Sequence, residues 1–165
     1  MQVIKDGSVI DDDWLLIRDI EDSSPIPGGD VILPLAFWHA NRNQLLKTKK
    51  KHAIWIDGSI ETESFLGDIE FFSIIALDFP TFKDGRSYSH ARLLRERYNY
   101  KGELRAVGDV LQDQLFFMER CGINSFQIRD DKDIEQALNG FKSFSNRYQA
   151  AADNTIPISK KRKFK

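Results

Sequence analysis

A single cysteine, Cys121, stands among 165 residues, so no disulfide can form within the chain. One thiol also falls short of what metal and redox centres need. An iron–sulfur cluster takes about four thiolates, and a structural zinc site takes about four closely spaced Cys or His ligands. The three histidines, His39, His52 and His90, are too scattered to supply the rest. Neither G-x-G-x-x-G after a strand nor G-x-x-x-x-G-K-[ST] occurs. The expectation is a chain with no redox centre, and no cofactor or metal of its own. No apolar run approaches the roughly 18 residues of a membrane span, and "MQVIKDGSVIDDDW" lacks the pattern of a signal peptide. With 24 basic against 25 acidic residues the net charge is −1, whereas a dedicated nucleic-acid binder is usually basic. A cytoplasmic protein is expected, with neither nucleic acid nor membrane as partner.

What is present suits a globular core: 41% hydrophobic residues, with twelve Phe, three Trp and four Tyr. This length suits one domain, expected over 1–152, ahead of a basic tail (153–165, "DNTIPISKKRKFK") expected to be disordered. "VIKDGSVI" carries a hairpin signal at Asp6-Gly7, and 18–30, "RDIEDSSPIPGGD", reads as loop. Apolar runs and helical patterns then alternate. "DVIL" is a strand, and Pro34 opens a helix to about Lys49. "HAIWID" is a strand before a short helix at "ETESFLGDI". "FSIIALDF" is continuously apolar, as in a strand buried on both faces. A helix over 87–99, the strand "ELRAVG", a helix "VLQDQLFFMERCG", the strand "SFQIRD" and a long helix to about Ala152 follow. Such alternation implies an α/β fold of four to five β-α units with a mainly parallel sheet. It is either an open layered sheet or a partial barrel, with an N-terminal β-hairpin.

Ligands of parallel α/β folds bind beyond the C-terminal strand ends. Asp57, Asp78, Asp109 and Asp130 fall there, so Asp78 and Asp109 are candidate general bases. The alternative is that Asp109 and Asp130 cap the following helices, and that Asp78 is the buried partner of an arginine. Arg105 lies mid-strand in "ELRAV", where a guanidinium needs a carboxylate or a bound anion. Asp78, on a neighbouring strand, is its expected partner. On the next helix Val110, Gln114, Phe117 and Cys121 share one face. Gln114 is therefore bonded to backbone or aimed into a site, and Cys121 is expected to be inert packing. In the 87–99 helix Ala91, Leu94 and Tyr98 form the inward stripe. Arg86, Ser89 and Arg92 gather near its start as a candidate pocket for an oxyanion or a partner. Arg95 and Arg97 read as solvated surface.

Residues 79–126 resemble the signature region of a bacterial family of unknown function. Its pattern runs F-x-D-G-R-x-Y-S-x-A-R-L-L-R, then G-E-L-R-A-V-G-D-V-L-x-D-Q, then Cys-Gly. The chain matches from Phe82 to Arg95, from Gly102 to Gln114, and at Cys121-Gly122. The family is commonly labelled an oxidoreductase involved in sulfite reduction, encoded beside the sulfite reductase haemoprotein. The resemblance implies an accessory role in sulfate assimilation and cysteine biosynthesis. The implied partner is that haemoprotein or its electron donor, met through a basic site of Arg86, Arg92 and Arg105, or a small oxyanion held there. With one cysteine the chain cannot be the sirohaem, iron–sulfur catalyst, so the oxidoreductase label is read as its neighbour's. Two other readings stand beside this one. The first is a small α/β enzyme with an Asp general base acting on an anionic substrate. The second is a structural protein whose arginine helix packs against another subunit.

Overall fold

The computed structural model describes residues 1–48, 50–142, 150–152 and 160. Strands β1 (Gln2–Lys5) and β2 (Ser8–Asp11) pair antiparallel across Asp6-Gly7. Strands β3 (Leu15–Leu16), β4 (Val31–Pro34), β5 (His52–Ile56), β6 (Phe72–Phe79), β7 (Glu103–Gly108) and β8 (Ser125–Phe126) run parallel to one another. Sheet order is β2-β1-β8-β7-β6-β5-β4-β3, with β1 antiparallel to β8.

This eight-stranded, mostly parallel sheet is curled into a half-barrel. Its edge strands β2 and β3 are consecutive in sequence. Asp12 still exchanges backbone hydrogen bonds with Met1, while the Leu15 N–H already donates to Asp30. Three chain steps span at most about 11 Å, whereas eight strands laid flat hold their edges about 34 Å apart. Curling is what allows residues 12–15 to bridge the edges.

The two faces of the sheet are filled differently. Outward-facing Leu33, Ile54, Ile75, Leu77, Leu104 and Phe126 carry the main core. Helices cover that face: α1 (Leu35–Leu45), α2 (Arg86–Arg92) and α3 (Leu115–Arg120). The inner face holds Ile32, Ala53, Ile74, Ala76 and Val107, plugged by Trp14, Leu16 and Trp55. Pro34 ends β4 as the N-cap of α1, consistent with a residue that cannot donate to either element.

Several elements are shorter than their patterns suggest. Helix α1 stops at Leu45, and Lys49 lies outside the described residues. Strand β8 keeps two residues of the expected six before the chain leaves the sheet. Helix α4 (Ile134–Ala137) is capped by Asp133, which accepts from the Glu135 and Gln136 amides, and gives way to 3-10 helix at Leu138–Lys142. The rest of the expected long helix (143–149) lies outside the described residues. So does the expected disordered tail, apart from Lys160, which is exposed. Among the described residues no helix is long and apolar enough to cross a membrane.

Candidate functional site

At the C-terminal ends of β6, β7 and β8 the half-barrel opens into a cleft of about 510 Å³ lined by Arg18, Asp78, Pro80, Gly108, Asp109 and Arg129. Each side chain is positioned by the strand it follows. Asp78 points inward one residue before β6 ends, and is buried. Its carbonyl accepts from Ser87 Oγ at 2.6 Å, tying the start of α2 to the strand end. Arg18 leaves the β3 edge: its Nη2 donates to Asp78 Oδ1 at 2.9 Å, and its guanidinium lies 5.6 Å from the centroid of the Trp55 ring. Trp55 is fixed in turn by donating to the Ile17 carbonyl.

Gly108 forms the floor. Its φ is +96°, and a Cβ there would come within 2.5 Å of the Phe79 carbonyl oxygen and 2.8 Å of Asp78 Oδ1. Only glycine fits both the backbone and the space. The next residue, Asp109, accepts from the Phe82 amide at 3.0 Å and from Arg129 Nη1 at 2.8 Å. Arg129 also forks onto Asp131, both bonds 2.8 Å, and these carboxylates raise its pKa well above the ordinary value.

The two arginines therefore differ in what they can still bind. Arg129 commits donors from all three nitrogens to Asp131 and Asp109. Arg18 commits one of its five N–H groups, and among the described residues the others make no hydrogen bond. Its side chain is 43% exposed. The cleft thus sets a free guanidinium edge beside the Asp78 carboxylate, an arrangement suited to a small, protonatable oxyanion.

Of the residues singled out from sequence, Asp78 and Asp109 are brought together here. The remainder are dispersed. Arg105 does not meet Asp78. It sits on the inner face opposite Ala76, fully buried, with both Nη atoms on Asp12 (2.5 and 3.2 Å) and Nε on Glu103 (2.7 Å). Lys5 completes this network by donating to Glu103 at 2.7 Å. Burial alone would raise the Glu103 carboxyl, but the bonds from Lys5 and Arg105 outweigh it and hold it below its ordinary value.

The expected pocket of Arg86, Ser89 and Arg92 does not form with Arg105, which lies on the opposite face of the sheet. Arg86 forks onto Asp84 and holds that partly covered carboxyl down to about 2. Ser89 is exposed. Arg92 pairs with Glu96 one turn on, both exposed. Nor does Asp109 cap a helix. Gln114 does so instead, its Oε1 accepting from the Leu111 amide, which settles its two alternatives in favour of backbone. Cys121 is buried and burial raises its thiol, so it is inert packing. His90 is buried with Nδ1 2.9 Å from Thr62 Oγ1. Among the described residues no cluster of three or more His, Cys, Asp or Glu is placed to hold a metal ion.

Arg18 and Arg129 escaped the sequence reading. Arg129 immediately precedes Asp130 in a recognised strand, so its signal was one residue away. Arg18 sits in a loop-like run, and its position becomes legible only from the alternation Asp12, Trp14, Leu16, Arg18, all facing inward.

No curated protein and no solved structure matches this chain. A family profile does: it covers residues 53–159, and with them β5 to β8, Asp78, Gly108, Asp109 and Arg129, so the chain belongs to the family described as bacterial protein of unknown function, DUF934.

Proposed function

We propose that the protein is an accessory factor of assimilatory sulfite reduction that holds a small oxyanion in the mouth of its half-barrel. The observation that carries the site is Arg18: an exposed guanidinium with uncommitted donors, locked beside a buried carboxylate in an open cleft. The sulfite step is supported by the resemblance of residues 79–126 to the family labelled for it. A small anion suits the cleft better than an acidic protein surface, because Asp78 and Asp109 would repel extended negative charge. The reductase haemoprotein or its electron donor is then a partner met elsewhere on the surface.

Calorimetric titration with sulfite and sulfate tests the site. Sulfite is expected to bind, and Arg18→Gln to weaken it about tenfold, the loss of one charge-assisted contact; because Asp78 also loses its cation, the titration is run well below the variant's own melting temperature. Absence of oxyanion binding, or equal binding by the variant, would remove the site. The role is tested by growth of a deletion strain on single sulfur sources. Failure on sulfate and sulfite with rescue by sulfide and cysteine is expected; normal growth on sulfite would overturn the assignment.

A second reading is favoured by the pairing of two carboxylates with two guanidiniums at the strand ends, where α/β enzymes place their catalytic groups. Asp78 or Asp109 would then be a general base on an anionic substrate. Asp109→Asn, which keeps the acceptor for Phe82, would abolish turnover in that case while leaving oxyanion binding in place.

A further inference from the structure

A second cavity lies at the opposite end of the sheet, by the N-terminal ends of β4 and β5. It holds about 320 Å³, room for roughly ten water-sized groups. Its walls are Ile26, Val31, Leu33, Leu45 and Ala53, of which the last three are buried. His52 also lines it; burial lowers the ring's pKa, and the ring lies 4.9 Å from Trp38, so that wall is uncharged at neutral pH. The charge is at the rim. Lys50 and Lys51 line the opening and are exposed, and no carboxylate is among the lining residues.

Among the described residues several cations are ion-paired, while others, such as Lys83, Arg97 and Lys101, are not. Lys5, Arg18, Arg42, Arg105 and Arg129 each meet a carboxylate within 2.9 Å. Among the described residues Lys50 and Lys51 meet none, nor does Lys47 in the same turn. Two exposed ammonium groups at an opening whose lining holds no carboxylate attract an anion. Apolar walls take up a hydrocarbon body, and a recessed chamber admits a small molecule in preference to a polypeptide.

We propose that this cavity binds a small amphiphilic anion, its charged head between Lys50 and Lys51 and an apolar body of roughly ten heavy atoms against Val31, Leu33 and Leu45. The site is independent of the mouth cleft, which lies at the other end of the strands.

Octanoate is the probe, titrated calorimetrically into the full chain below its micelle concentration. Acetate supplies the head alone and 1-octanol the body alone. Saturable one-to-one binding of octanoate is expected, with neither control binding measurably. The double variant Lys50→Glu/Lys51→Glu should weaken octanoate about tenfold or more, and so should Val31→Trp, whose indole fills the chamber. Arg18→Gln should leave octanoate binding unchanged, which separates this site from the mouth. Should Val31→Trp fail to fold, the exposed lysine pair decides alone. Lack of saturable octanoate binding, equal binding of 1-octanol, or indifference to the lysine substitutions would each overturn the proposal.

Discussion

A guanidinium with no exposed surface, such as that of Arg105, persists in a fold only where its charge and its N–H groups are both matched. Asp12 and Glu103 do so together, and Lys5 balances the second carboxylate, giving two positive and two negative groups on the inner face. Replacing Arg105 by Met leaves two largely buried carboxylates without their cation. The expected loss is about 3–5 kcal/mol, read as a fall in the urea midpoint. Adding Asp12→Asn and Glu103→Gln should recover a substantial part of it, since the uncompensated charges are then gone. Mid-strand position showed that Arg105 needed a partner, but not which one. Asp78 lies on the same inner face, yet two residue pairs further along the β6–β7 ladder. Asp12 is 93 positions distant in sequence, and only strand pairing brings it close.

Helical arithmetic fails where an element departs from 3.6 residues per turn, and two such departures here move residues off their expected faces. Helix α2 passes into a π turn over Leu93–Arg97, with the Tyr98 amide reaching back to Leu93 at 3.0 Å. The extra residue per turn rotates Arg95 out of the solvent row expected for it. It donates to the carbonyls of Tyr100, Gly102 and Gly122 and to Asn124 Oδ1, stitching the end of α2 to the entries of β7 and β8. Gly122, at φ +100°, is where a Cβ would collide with the Arg95 side chain. Arg95→Met is expected to cost about 3 kcal/mol, because a charged donor group is lost from several carbonyls at once, and Arg95→Lys to restore little, since one ammonium cannot span the fork. Equilibrium urea unfolding of the two variants measures both effects; wild-type stability in Arg95→Met would return the residue to the surface class. Likewise, 3-10 geometry over Gln112–Gln114 turns the face that follows, so Leu115 and Met118 are buried while Phe117, expected inside, is 55% exposed.

For the molecule as a whole, the alternation of apolar and helical segments made the parallel α/β class legible, because strands buried on both faces are continuously apolar. The curl was not legible. It depends on residues 12–18, whose inward positions hold Asp, Trp, Leu and Arg and whose outward positions hold Asp, Leu and Ile, so no period-two contrast marks a strand. That same run supplies Asp12 to the buried network and Arg18 to the mouth, so the segment that bridges the sheet edges also completes the candidate site. A further property belongs to this scale, because His52 and His90 stand on different elements of the outer layer and are both buried. Burial lowers each pKa from the ordinary 6.5. The unfolded chain therefore takes up protons near 6.5, while the folded protein resists them until a lower pH. Between those values the unfolded state holds more protons, so stability is full above about 6.5 and falls on acidification until the folded-state pKa values are passed. Urea unfolding at intervals from pH 8 to pH 5, about the histidine range, should show this fall in the wild type. The variant His52→Gln/His90→Gln should give a shallower dependence across the same window, even if its stability at pH 8 is lower. An unchanged slope in that variant would overturn the assignment of the acid sensitivity to these two histidines.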